Sequence, residues 1–152
     1  MLVYLDIDGV LADCEHRLHY LKEKNYEKFY SDQEIDNDRP IDKGFELLEM
    51  LMDTWEVELY LITGRPYRAE EITRKWLRER RSDYGDLTII MRKDHDYRPS
   101  DILKAEIMKK NVEWANGREE PIYFIDDDPK NVKAVEEACP EVTGFVFGSS
   151  RL

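Results

Sequence analysis

Leu2-Val3-Tyr4-Leu5-Asp6-Ile7-Asp8-Gly9-Val10 begins as a continuous apolar run and ends in two carboxylates and a glycine. A continuous apolar run suits a strand covered on both faces. Alternate residues of a strand share a face, so Asp6 and Asp8 point together at its exit. Gly9 permits a sharp departure of the backbone. Two carboxylates this close repel unless a cation or a proton lies between them, so the motif implies a metal or an acid/base role.

Working outward, strand-like runs recur at 57–63, 87–91, 122–126 and 142–147, in addition to 2–6. Helix-like segments with apolar residues at spacings of three and four fill 44–54, 67–81, 101–115 and 129–138. The alternation predicts an α/β fold, a Rossmann-like doubly wound parallel sheet built from βαβ units. Ligands of such sheets sit beyond the carboxyl ends of the strands. Residues 14–42, rich in aromatic and charged side chains, interrupt the alternation and predict a small helical cap over that edge. No repeat or glycine/serine linker appears, so one domain over 1–152 is expected.

A length of 152 residues can bury a core without disulfides or structural metals. The net charge of −11 argues against non-specific nucleic-acid binding by bulk electrostatics, though not against a local basic path. Cys14 and Cys139 are too few and too far apart for a disulfide framework, and are expected as small buried hydrophobes in a reducing compartment. A first strand at Leu2 leaves no room for a leader, and no stretch approaches a membrane span, so a cytoplasmic location without membrane partners is expected. His16 and His19 lie one helical turn apart but lack a third ligand at fixed spacing, which favours a solvated or aromatic-packed pair over a zinc site. Asp128, followed by Pro129, reads as a helix N-cap.

Four motif positions fall on the predicted ligand edge: Asp6 and Asp8, then Thr63-Gly64-Arg65, then Lys104 in the first turn of a helix, then Asp126-Asp127. In this order they resemble the haloacid dehalogenase (HAD) superfamily of aspartate-nucleophile phosphohydrolases, over nearly the whole chain. The resemblance implies Asp6 as nucleophile and metal ligand, and Asp8 as acid/base that also offers its backbone carbonyl to Mg²⁺. Asp126 would complete the metal shell, and Asp127 would bind through water or orient Lys104. Thr63 and the Gly64 amide would hold phosphoryl oxygens, and Lys104 would neutralise charge. Oxygen-only ligands suit Mg²⁺, and a phosphate dianion attacked by a carboxylate needs such a cation.

Met91-Arg92, Asp96-Tyr97-Arg98 and Thr73-Arg74-Lys75-Trp76 look like phosphatase domains of the bacteriophage polynucleotide kinase type, which remove 3′-phosphates from nucleic-acid ends. That resemblance implies Arg65 and Arg98 as bidentate substrate-binding donors and a phosphorylated nucleotide or nucleic-acid end as substrate. The small insertion predicts an open site that admits a polymer end. No GxxxxGK[ST] loop exists, so no kinase half lies on this chain. A 5′(3′)-nucleotidase or small-molecule phosphatase is the alternative within the same chemistry. A phospho-accepting regulatory domain, or a nucleic-acid-binding module without turnover, is the alternative from another class. A phospho-accepting aspartate would end the third strand, where Met91-Arg92 stands instead.

Overall fold

The structure, a computed structural model, describes residues 1–148; the predicted domain limit at 152 lies outside them. Strand β1 (Leu2–Asp6) is followed by β2 (Ala12–Asp13), α1 (Leu18–Lys22), α2 (Tyr26–Phe29), α3 (Asp32–Asp36) and β3 (Arg39–Pro40). Then come α4 (Asp42–Met52), β4 (Glu58–Pro66), α5 (Glu70–Arg80), β5 (Ile89–Arg92), α6 (Ser100–Trp114), β6 (Ile122–Asp126), α7 (Pro129–Ala138) and β7 (Val142–Val146). The main sheet runs in the order β5-β4-β1-β6-β7 and every neighbouring pair is parallel. This is a Rossmann-like α/β fold.

Strand β1 is central and wholly buried because its side chains feed two cores. Leu5 packs with Phe45, Leu48, Trp76 and Leu77 on one face. Leu2 and Tyr4 pack with Met108, Val112, Phe124 and Val135 on the other. Each such side chain contributes about 1.5–3 kcal/mol on burial, so a one-residue register slip of β1 would exchange two full cores.

Boundaries differ most at β4, predicted to end at Thr63 but extended to Pro66 through an irregular register with β5. The helix predicted from Tyr67 opens with a 3-10 turn, Tyr67–Ala69, before α5. The insertion is pinched at its base by antiparallel pairing of Ala12 with Pro40 and Asp13 with Arg39. Its third short helix and the loop after it are anchored to α5: Trp76 Nε1 donates to the Asp38 carbonyl at 2.9 Å, and Lys75 Nζ reaches Asp36 at 3.0 Å. Among the described residues no helix is long and apolar enough to cross a membrane.

Candidate active site

Asp6 ends β1, and Asp126 ends β6 beside it. Asp127 follows, and ligand oxygens of all three lie within 4.8 Å of one another. Gly9 makes room for this: its φ is +86°, and a Cβ there would come within 2.0 Å of Asp127 Oδ2. Asp128 caps α7, its side chain accepting the Lys130 N–H at 2.9 Å. Asn131, one turn on, donates to Asp126 at 3.2 Å, a contact no sequence signal marked.

Lys104 Nζ lies 2.6 Å from Asp126 Oδ2 and 2.8 Å from Asp6 Oδ1. Its orientation thus comes from Asp126 and Asp6 rather than from Asp127. Apart from that ion pair, Asp6 Oδ1 is a buried oxygen without a hydrogen-bond partner among the described residues. Burial pushes the Asp6 carboxyl well above its ordinary value; Lys104 pulls it back, while Asp126 and Asp8 push it further up. Burial and then Asp126 push Asp127 up to about 6. Crowded carboxylates, an orphaned buried oxygen and an oxygen-only donor set fit a hard divalent cation held by Asp6, Asp126 and Asp127.

Asp8 belongs to a different network. Arg65 Nη2 lies 2.7 Å and Arg17 Nη2 2.9 Å from Asp8 Oδ1. The same two nitrogens reach Asp38 Oδ2 at 2.9 and 2.8 Å. Arg65 Nη1 donates to Thr73 at 3.0 Å, and Arg17 Nη1 to the Phe29 carbonyl at 3.1 Å. Both arginine side chains are fully buried. Burial alone would raise the Asp8 pKa, but the Arg65 and then the Arg17 charge outweigh it and hold the carboxyl well below the usual range.

Arg65, expected to grip phosphate, is instead engaged on all three guanidinium nitrogens with protein acceptors. The reason is burial: a guanidinium with no exposed surface must find its acceptors within the protein. Thr63 is likewise buried, its hydroxyl donating to Asp8 at 3.3 Å and accepting the Arg65 N–H at 3.1 Å. Arg98 lines the cleft but pairs with Asp96 at 2.8 Å and with Glu106. Arg17 and Asp38 were missed, lying 21 residues apart on an insertion without periodicity.

His16 contacts Asp38 at 2.8 Å and Glu34 at 3.4 Å, while His19 packs on Tyr20 with ring centroids 3.9 Å apart. They share no site. Cys139 is buried as expected, but Cys14 is half-buried and lines the cleft.

The cleft, about 410 Å³, lies over Asp6, Asp8, Lys104 and Asp127, between the insertion and the carboxyl edge of the sheet. That volume falls in the roughly 300–1,000 Å³ range of ligand pockets. Gly64 lines its floor. A Cβ there would stand 3.3 Å from Ser100 Oγ, 3.4 Å from Arg92 Nη2 and 3.8 Å from the Tyr30 hydroxyl. Arg92 is held by donating Nε to the Gly64 carbonyl at 2.7 Å and Nη1 to the Asp96 and Arg98 carbonyls at 2.9 and 2.6 Å. Its Nη2 has no acceptor among the described residues. These donors gather around Gly64 in the cleft that Asp6 also lines, where an anion would be met by hydrogen bonds already in place.

A parallel sheet with this acidic floor, a buried lysine and an anion-facing rim defines the phosphatase class of the HAD superfamily. Residues 1–139 match the family model of the polynucleotide kinase PNKP phosphatase domain, and the chain belongs to that family. It is 25% identical to a chain of a Pnkp1/Rnl/Hen1 complex, covering 95% of itself and 45% of that chain at a TM-score of 0.70. A second structure, of the Pnkp1/Rnl/Hen1 RNA repair complex, matches at 23% identity and a TM-score of 0.72, over 95% of this chain and 41% of that one. The chain thus spans less than half the length of these relatives. A HAD family enzyme from Bacteroides thetaiotaomicron, in complex with magnesium and inorganic phosphate, shares the fold at 17% identity and a TM-score of 0.54, over 99% and 98% of the two chains. No curated protein sequence matches the chain.

Proposed function

We propose that the protein is a Mg²⁺-dependent phosphomonoesterase that removes the 3′-phosphate from a polynucleotide end through an aspartyl-phosphate intermediate. The observation that carries this reading is the convergence of Asp6, Lys104 and the free donors of Arg92, Ser100 and Tyr30 on one cleft floor. The family membership favours a strand end over other phosphoesters.

A divalent cation held by Asp6, Asp126, Asp127 and the Asp8 carbonyl would keep the carboxylates ionised and offset phosphoryl charge. The chain's own groups do the rest. The Gly64 amide, Arg92 Nη2 and Ser100 Oγ hold the phosphoryl oxygens in line with Asp6, with Lys104 at the flank. An Asp6 oxygen bonds to phosphorus as the bond from phosphorus to the 3′-oxygen breaks. Asp8 gives the leaving oxygen its proton, then takes one from the water that attacks phosphorus and frees Asp6. Without substrate Asp8 is a carboxylate; it gains a proton once phosphoryl negative charge beside it opposes the pull of Arg65 and Arg17. Arg65 and Arg17 aim Asp8 rather than touch phosphate.

The test is phosphate release from a 3′-phosphorylated oligonucleotide, its 5′-phosphorylated isomer and mononucleotides, with and without Mg²⁺. The expected result is Mg²⁺-dependent release from the 3′-phosphorylated strand, at least tenfold faster than from the others. Release from mononucleotides alone would establish the nucleotidase alternative.

A further inference from the structure

Part of the cleft lining is not needed to hold a phosphoryl group: an aromatic pair and an unpaired cation. Tyr26 of α2 and Tyr97, in the loop after β5, both line the cleft and meet with ring centroids 5.0 Å apart at 33°. Tyr97 nevertheless remains 52% exposed. Leu18 and Leu21 of the insertion line the same cleft, each 39% exposed. An aromatic ring backed by a second ring and still open to solvent is a platform for a planar base, which has an apolar face of its own.

The cation is Arg68. It lines the cleft, is exposed, and its guanidinium has no hydrogen-bond or ion-pair partner among the described residues. Most neighbouring arginines are engaged: Arg74 with the Gly85 and Leu87 carbonyls, Arg80 with Asp42, Arg98 with Asp96 and Glu106. The Arg68 backbone is tied to the Tyr97 loop, its N–H donating to Asp94 at 2.9 Å. On a chain of net charge −11, an unpaired guanidinium in the same cleft as an aromatic platform marks a place for an anion carried by the ligand.

We infer that Tyr97 and Arg68 form a second subsite, in which the terminal nucleobase stacks on Tyr97 and Arg68 binds the phosphodiester on the 5′ side of that nucleotide. This rests on the 3′-phosphatase reading and adds what it lacks, a physical reason to prefer a strand end over a mononucleotide. A nucleoside 3′-phosphate has the base but no diester. An abasic end has the diester but no base. Each removes one half of the subsite.

The experiment measures kcat/KM of the wild-type protein, Tyr97→Leu, Tyr97→Phe and Arg68→Ala on three Mg²⁺-loaded substrates: a single-stranded 3′-phosphorylated oligonucleotide, the same strand with an abasic terminal nucleotide, and a nucleoside 3′-phosphate. In Tyr97→Leu the preference for the base-bearing over the abasic strand should fall about fivefold to a hundredfold, the span of one stacked base, mainly through KM. Tyr97→Phe should retain that preference, since the ring stacks without its hydroxyl. In Arg68→Ala the preference for the oligonucleotide over the nucleoside 3′-phosphate should fall about tenfold, and less at high salt. Equal losses on all three substrates would make Tyr97 a packing contact for the insertion and overturn the subsite. A wild-type protein that prefers neither the diester nor the base would do the same, even if it hydrolyses 3′-phosphates. Failure to hydrolyse any of the three, with turnover of a small phosphate ester, would overturn the 3′-phosphatase reading and this inference together.

Discussion

Arg65 Nη2 stands 2.7 Å from Asp8 Oδ1, and the arginine side chain has no exposed surface. The relationship makes Arg65 a support for Asp8, the proposed acid/base, rather than a phosphate ligand. Arg65→Lys keeps the charge but cannot bridge Asp8, Asp38 and Thr73 at once. We expect kcat on a 3′-phosphorylated oligonucleotide to fall about a hundredfold, with KM changed less than about threefold, because a displaced catalytic group costs rate. Steady-state kinetics decide this. A large rise in KM with kcat preserved would return Arg65 to the phosphate.

Asp38 completes the same network, with Arg17, Arg65 and His16 all within 2.9 Å of its oxygens. Asp38→Ala removes the carboxylate that balances two buried guanidiniums. Breaking a buried pair from one side costs about 3–5 kcal/mol. Urea unfolding at neutral pH should show a loss of that size; a loss below about 1 kcal/mol would mean that water or Glu34 replaces Asp38.

How much of this was legible follows from how each interaction is encoded. The five main strands lie on mostly continuous apolar runs, and Asp6, Asp126 and Lys104 occupy strand ends and a helix start, so local pattern alone placed them at one edge. The Asp8 network is long-range: Arg17 closes a three-residue 3-10 turn, Glu15–Arg17, and Asp38 lies in the loop between α3 and β3, so no periodicity could place them. Arg92 read as the end of a strand, because nothing local reveals that three carbonyls immobilise it. Arg65 was visible as a residue but not in its direction, which depends on acceptors up to 57 positions away.

Metal dependence should appear in stability as well as in rate. Asp6 is buried against Asp126 and Asp8, so Asp6→Asn removes repulsion when no cation is bound. In EDTA, Asp6→Asn should melt at or above the wild-type temperature while lacking turnover. Mg²⁺ binds the folded chain and should raise the wild-type Tm, by an amount set by ligand concentration over Kd. The rise should be smaller in Asp6→Asn. Calorimetry showing equal Mg²⁺ shifts would remove Asp6 from the metal site.

Arg92 has one nitrogen free beside Gly64 and two engaged with carbonyls. Arg92→Lys should weaken inhibition by inorganic phosphate by about tenfold or more, since a hydrogen bond between charged groups contributes about 1.5–3 kcal/mol. Circular dichroism should be unchanged. Unaltered phosphate inhibition would assign the phosphoryl oxygens to other donors.

Cys14 reports on the cleft through its thiol. Burial, then the negative charge of Asp8, push its pKa up to about 12, against about 8.5 for a free cysteine. A raised thiol pKa means that the nucleophilic thiolate is scarce at neutral pH and grows tenfold with each unit of rising pH until the pKa is reached. Iodoacetamide should therefore modify Cys14 slowly at pH 8, in a Cys139→Ser background, at a rate that climbs without a plateau to pH 10. A freely exposed thiol would level off above about pH 9. Because Cys14 lines the cleft, inorganic phosphate with Mg²⁺ should slow the reaction further. A plateau near pH 9, or indifference to phosphate, would place the thiol outside the field of Asp8 and away from the phosphoryl site.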